Sequence, residues 1–280
     1  MAQDSLNFNL RKIETSLLIG YAEDNLTWSI AGNLNGQNPN IYSELIWEGL
    51  KGPQTRLNIK YNFWKSFILI SDFTHFSILT GSATDSDYEE DNRTSRIFFA
   101  ELNSDKGRNY SFNPALGYRF NFFGRMHLLP SIGYGINSQK LYLLDAQVPE
   151  LKSTYQTLWK GPFAGLETSL DVFNTIKCQI GLRYHQVSYK AQADWNLIEE
   201  FKHPVSFEHV AKGYGIDADL RIGFEITRSF TAHLSSNYYK WSTGTGFDEL
   251  FLTDGRVVKT RLNGVIRRGF TAGLGITFFY

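Results

Sequence analysis

The sequence predicts an all-β transmembrane protein, an antiparallel up-and-down β-barrel of about ten strands with short periplasmic turns and long outer loops. Three observations predict it. Apolar and polar residues alternate with period two along most of the 280 residues, as expected of strands whose two faces meet different media. No window approaches the roughly 18 uninterrupted apolar residues that a membrane helix requires. The chain also runs out on an alternating strand that closes with Phe278-Phe279-Tyr280.

In chain order, Tyr110, Phe112, Pro114, Leu116, Tyr118 and Phe120 share one face, against Asn109, Ser111, Asn113, Gly117 and Arg119. Ile176, Cys178, Ile180, Leu182 and Tyr184 alternate with Lys177, Gln179, Gly181, Arg183 and His185. Tyr214, Ile216, Ala218, Leu220, Ile222, Phe224 and Ile226 alternate with Gly215, Asp217, Asp219, Arg221, Gly223 and Glu225. The last strand sets Phe270, Ala272, Leu274, Ile276, Phe278 and Tyr280 against Thr271, Gly273, Gly275 and Thr277. A soluble barrel would turn the apolar set inward; a membrane barrel turns it toward lipid and fills the lumen with the polar set. The apolar faces end in aromatics, as interfacial girdles do, and the polar faces mix glycine with both signs of charge, so the membrane assignment is preferred.

Tight turns are expected near Tyr61–Lys65, Phe122–Arg125, Asp171–Thr175 and Thr227–Ser229, and long polar loops near Glu23–Asn40, Ala83–Arg108, Leu144–Ser153, Ala193–Phe207 and Gly244–Val258. That alternation places both termini on the short-turn side and reads as a single barrel domain over residues 1–280. Arg119, Glu167, Asp171, Lys177, Arg183, Asp217, Asp219, Arg221 and Glu225 are the expected lumen charges. In a small barrel they should pair and plug the interior, because an unpaired buried charge is costly.

Charge and cysteine content narrow the function. Lys and Arg total 28 and Asp and Glu total 28, which removes the basic excess that a nucleic-acid partner would need. The lone Cys178 excludes an intramolecular disulfide and a cysteine-rich metal site, and no cofactor motif is present. The start, Met1-Ala2-Gln3-Asp4, has no signal-like segment, so a mature outer-membrane chain of a Gram-negative cell is expected.

The chemistry-bearing stretch is Asp85-Ser86-Asp87-Tyr88-Glu89-Glu90-Asp91. Asp85 and Asp87 are two apart, so on a strand both carboxylates point to one side and could share a proton or orient a water. A solvated acidic loop and a calcium site are the other readings, although the register does not fit an EF-hand loop.

Here the sequence resembles the omptins, ten-stranded outer-membrane endopeptidases of Gram-negative bacteria. Ser43-Glu44-Leu45-Ile46-Trp47 is similar to the family's Ser-x-Leu-x-Trp strand, Asn62 to an Asn in its first turn, and Asp85-Ser86-Asp87-Tyr88 to its Asp-x-Asp-Trp. An Ile-rich third strand and Phe270-Thr271-Ala272-Gly273-Leu274 extend the likeness. The resemblance implies that Asp85 and Asp87 are one catalytic pair and that Asp194, in Ala193-Asp194-Trp195-Asn196, is the acid of an Asp–His dyad across a cleft. Asn196 stands where the family has that histidine, and an amide accepts no proton near neutral pH, as a histidine with pKa near 6.5 can. His203 and His209, in or beside the same loop, are the candidate replacements. The resemblance also implies basic wall residues that meet lipopolysaccharide phosphates, with Arg93, Arg96, Lys106 and Arg108 as candidates.

Three functions follow as expectations. The first is a non-catalytic omptin-like barrel that binds or assembles with a partner in the cell envelope, in contact with membrane lipid and lipopolysaccharide. The second is an endopeptidase using Asp85, Asp87, Asp194 and a displaced histidine. The third is a small-solute channel, disfavoured by the lumen charges.

Overall fold

The computed structural model describes residues 12–122, 125–173 and 175–280. They form thirteen antiparallel strands: β1 (Ile13–Ile30), β2 (Ser43–Trp64), β3 (Phe67–Ile78), β4 (Thr80–Glu90), β5 (Thr94–Asn103), β6 (Gly107–Tyr118), β7 (Phe120–Phe122), β8 (Met126–Asp145), β9 (Val148–Phe173), β10 (Ile176–Asp194), β11 (Phe207–Thr227), β12 (Phe230–Phe251) and β13 (Val257–Phe279). β3 with β4, and β5 with β6 and β7, are interrupted single staves, so ten staves ring the barrel. β1 closes it by pairing with both β2 and β13, so the ring has no edge there. Among the described residues no helix is long and apolar enough to cross a membrane.

The strands change character along their length, and β10 shows how. Ile180, Leu182 and Tyr184 lie on the outer wall, about half exposed, while Lys177, Gln179 and Arg183 point into the lumen. Beyond Tyr184 the pattern reverses. Gln186, Ser188, Lys190 and Gln192 are outside, and Val187, Tyr189, Ala191 and Ala193 are buried inside. The lower half is thus a membrane barrel and the upper half a water-surrounded barrel with an apolar interior. Tyr21, Tyr110, Tyr134, Tyr184, Tyr214 and Tyr238 are exposed on the outer wall where the pattern reverses, at the level of an interfacial girdle.

That reversal corrects four of the five expected loops. Glu23–Ile30 belongs to β1, Ala83–Arg108 is mostly the β4–β5 hairpin, β8 and β9 meet in a short turn, and β12 runs on to Phe251. Their outward residues are polar because these strand extensions stand in water. Only the segment between Asp194 and Phe207 keeps the expected length. The turns near Tyr61–Lys65 and Thr227–Ser229 are tight; those near Phe122–Arg125 and Asp171–Thr175 include residues 123, 124 and 174, which lie outside the described residues. Met1 to Asp4 lie outside them too.

Two layers fill the interior. In the membrane half, Arg56 on β2 donates to Asp72 on β3 (2.6 Å) and across the lumen to Asp219 on β11 (2.7 Å). Arg183 donates to Asp219 at 3.2 Å and Lys60 to Glu167 at 2.6 Å. This lattice leaves a cavity of about 90 Å³, bordered by Arg56, Lys60, Asp72, Glu167, Arg183 and Arg221. Above it lies an apolar layer. Trp47 stacks on Tyr155 (5.2 Å between rings), and Trp159 packs against Tyr189 (4.3 Å) and Trp241 (5.8 Å). Gly215 permits this packing, since a Cβ there would sit 2.7 Å from the Trp241 ring. The Trp241 indole N–H then reaches Asp217 at 2.7 Å and ties the two layers together.

Asp24 on β1, wholly buried, marks the join. One of its oxygens accepts from Arg267 on β13 (2.9 Å), Asn109 on β6 (2.8 Å) and Gln139 on β8 (2.8 Å). Three donors converge on one carboxylate oxygen and lock three staves to a fourth.

Candidate functional site: an acidic cleft at the outer mouth

β4 pairs with the top of β2 in the register Leu45↔Asp85 and Ser43↔Asp87. Directly opposed residues share a face, and Leu45 and Trp47 point inward. Asp85 and Asp87 therefore both look into the mouth, above the apolar layer. Burial pushes the Asp85 carboxyl up to about 7, and the neighbouring Asp87 charge adds to it. The Ser86 N–H and the Trp195 side chain, which hydrogen-bond to Asp85, pull it back part of the way. Burial raises Asp87 as well, opposed by a hydrogen bond from Ser43.

Trp195 belongs to the opposite wall. It follows Asp194, the last residue of β10. Its main-chain N–H donates to Ser206 Oγ (2.9 Å), and its ring packs edge-on against Phe207 (4.7 Å). Phe207 in turn lies on His209 (5.2 Å). The indole thus reaches toward Asp85 from a braced platform. Sequence reasoning missed it, although a tryptophan beside the expected acid was a visible signal.

Asp194 does have a histidine partner. His203 Nδ1 donates to Asp194 Oδ1 at 2.6 Å, and Nε2 donates to the Ile198 carbonyl at 3.1 Å. The hydrogen bond to Asp194 holds the His203 pKa above its usual value, with the Ile198 carbonyl adding to the effect against partial desolvation. Asn196 faces away from the cleft. Its Oδ1 accepts from the Lys152 N–H (2.9 Å) and Ser153 Oγ (3.2 Å), and its Nδ2 donates to the Glu150 carbonyl (2.8 Å). It staples the 195–206 loop to β9.

His209 is sealed in the apolar layer. Its Nδ1 is 2.8 Å from Tyr155 Oη, which is 2.7 Å from Tyr189 Oη, and its Nε2 lies 3.1 Å from Asp248. Thr260 holds the other Asp248 oxygen at 3.0 Å. Of the expected wall cations, Arg93 is clamped on Glu44 (2.6 Å) and Arg96 lies over Phe99 (4.2 Å). Lys106 sits over Tyr142 (5.0 Å) and Arg108 over Tyr110 (5.7 Å). No cluster of three metal-ligating side chains occurs among the described residues.

One solved structure agrees with the architecture. The outer membrane protease OmpT from Escherichia coli superposes with a TM-score of 0.79 at 11% identity, covering 100% of both chains. The translocator domain of the autotransporter NalP from Neisseria meningitidis gives 0.43 at 10% identity, over 99% of this chain and 91% of the other. OmpT shares the fold; the identity is too low to carry more. No curated protein matches in sequence. The match to the family of the Protochlamydia outer membrane protein covers residues 16–279, nearly the whole barrel. The chain is therefore a member of the Pom family, an outer-membrane β-barrel protein with an omptin-like fold.

Proposed function

We propose that this Pom barrel is a non-catalytic binding subunit of the outer membrane, whose acidic mouth holds a cationic group of a partner polypeptide. One observation carries the reading: both ring nitrogens of His203 face acceptors, Asp194 and the Ile198 carbonyl. Such a histidine is favoured as an imidazolium and has no lone pair to take a proton from water. The Asp194–His203 pair then acts as a loop clamp, with Asn196 as a second staple.

The endopeptidase alternative requires His203 Nε2 to leave Ile198 and turn into the cleft while Trp195 releases Asp85. The channel alternative requires a path through both the aromatic layer and the Arg56–Asp219 crossing.

The lipid partner is a part of the same proposal. Arg108 and Lys140 are directly opposed on β6 and β8, with Lys106 and Lys140 both over Tyr142. None of the three has an acidic partner among the described residues. Like charges placed opposite each other repel, and a lipopolysaccharide phosphate on the outer wall would relieve that repulsion. Arg93 and Arg96 are not part of this surface.

The test is fluorescence titration of a lysine-containing peptide onto the refolded barrel from pH 5 to 8. Affinity should rise with pH through about 7, where Asp85 ionises, and that rise should vanish in Asp85→Asn. A pH-independent affinity, equal in wild type and Asp85→Asn, would refute the proposal.

A further inference from the structure

The β4–β5 hairpin leaves one strand edge open. Near its foot β5 meets β8 through the pair Asn103↔Leu144 alone. Above that point its partner is β4, and its other edge pairs with no strand among the described residues. Among the described residues the other staves are paired on both sides over most of their length, the outer ends of β9 (148–151) and β13 (257–260) also running past their β10 and β1 partners. A free edge presents a row of main-chain N–H and C=O groups, which natural proteins normally blunt with lysine, proline or a cover. Here the edge carries Ile97, Phe98 and Phe99, which are 60%, 47% and 45% exposed, with the Arg96 guanidinium over the Phe99 ring.

The edge stands beside the acidic cleft. Phe98 is opposite Asp87 and Ala100 is opposite Asp85, so a strand added to β5 would lie about 10 Å from β4, two strand spacings away. The hairpin also has a charge. Residues 80–103 contain six acidic and two basic side chains, and one of the basic pair, Arg93, is already held by Glu44. An occupant that satisfies the main chain, covers the apolar side chains and meets the net negative charge is an extended cationic polypeptide.

We propose that β5 captures a cationic, extended polypeptide segment by strand addition, with main-chain pairing supplying affinity and alternate side chains divided between Ile97 and Phe99 on one side and the carboxylates on the other. This deepens the binding reading above and rests on it for the cationic character, whereas the strand addition rests on the open edge. Recognition of this kind reads the backbone first and the side chains at every second position.

The experiment uses the refolded full chain and a labelled peptide of alternating lysine and valine, with anisotropy as readout. Two further peptides are N-methylated, one at every valine and one at every lysine. Successive amides of a strand point to opposite edges, so strand addition predicts that one methylated peptide loses roughly tenfold or more in affinity while the other binds like the parent. Loss with both, loss with neither, or no binding of the parent overturns the proposal. A barrel that self-associates through β5 and ignores the peptide overturns it in favour of a second copy. Replacing the lysines by threonine separates the two readings: if the one-sided loss persists and Asp85→Asn and Asp87→Asn no longer matter, strand addition stands without the acidic-cleft proposal.

Discussion

His203 is bound to Asp194 through Nδ1 at 2.6 Å, nine residues along the chain from the acid it partners. The register-matched position, Asn196, is instead hydrogen-bonded to β9 on both ends of its amide. An acid–histidine contact is therefore present at the mouth, built as a closure of the 195–206 loop.

Removing that closure should loosen the loop and leave the barrel intact. His203 is about a third exposed, and such ion pairs contribute of the order of 0–1 kcal/mol. His203→Ala should speed proteolytic nicking within 195–206 with little change in the global unfolding midpoint. Because the folded pKa of His203 is raised, its contribution is full below the ordinary histidine value and is lost as pH rises through the folded one. Loop protection measured by hydrogen exchange should accordingly fall toward alkaline pH in wild type and be flat in His203→Ala.

Asp85 should behave in the reverse sense to a salt-bridged carboxylate. Its folded pKa of about 7 lies above the unfolded one near 4. The fold is most tolerant of Asp85 below about pH 4 and loses that tolerance as pH rises through 7. Asp85→Asn should raise the urea midpoint at pH 8, and the two proteins should converge by about pH 4. Equal midpoints at pH 8 would mean that Asp85 is solvated.

Arg56 is the cation of the lumen crossing. Its replacement by alanine leaves Asp72 and Asp219 to Arg183, at 4.0 and 3.2 Å, so the loss should fall below the roughly 3–5 kcal/mol of a buried pair stripped of its only partner. In planar bilayers the wild-type barrel should be nearly silent, and Arg56→Ala should admit more current if it inserts at all. Steady wild-type conductance would restore the channel reading.

The reversal along β10 has its own test. Leu182→Lys puts a charge on the lipid face below Tyr184, where about 2–4 kcal/mol is expected, whereas Gln186→Lys, two positions above Tyr184, should cost about 0–1. Equal costs measured by reversible unfolding in lipid would contradict the boundary.

Much of this was legible in the sequence, and the failures share a cause. The lipid-facing runs, such as Tyr214 to Ile226, announced themselves because one face is apolar throughout. Arg56, Asn58 and Lys60 alternate with Leu57, Ile59 and Tyr61 in the same way, and the expected lumen charges lack Arg56 and Lys60, the two cations that cross the lumen. The strand extensions resemble loops in sequence because polar residues such as Gln186 and Lys190 there face water, and the inward partners, Val187 and Tyr189, are apolar. A single rule for both halves cannot work when the solvent outside changes from lipid to water partway up a strand. At the mouth, the Asp85 and Asp87 face followed from spacing alone. The partner of Asp194 did not, because a loop brings His203 back over nine residues and no local periodicity records that return. Trp195 was hidden for the same reason, since its role depends on a wall formed by β4.

The central claim, that this mouth binds without cutting, is tested most directly by incubating the refolded barrel with a mixed peptide library and lipopolysaccharide and reading new termini by mass spectrometry, with Asp85→Ala and Asp87→Ala alongside. The account predicts no cleavage above background in any of the three proteins while the wild type still binds lysine-containing peptides. Cleavage by the wild type that disappears in both variants would contradict it and make His203, released from Ile198, the base of a working peptidase.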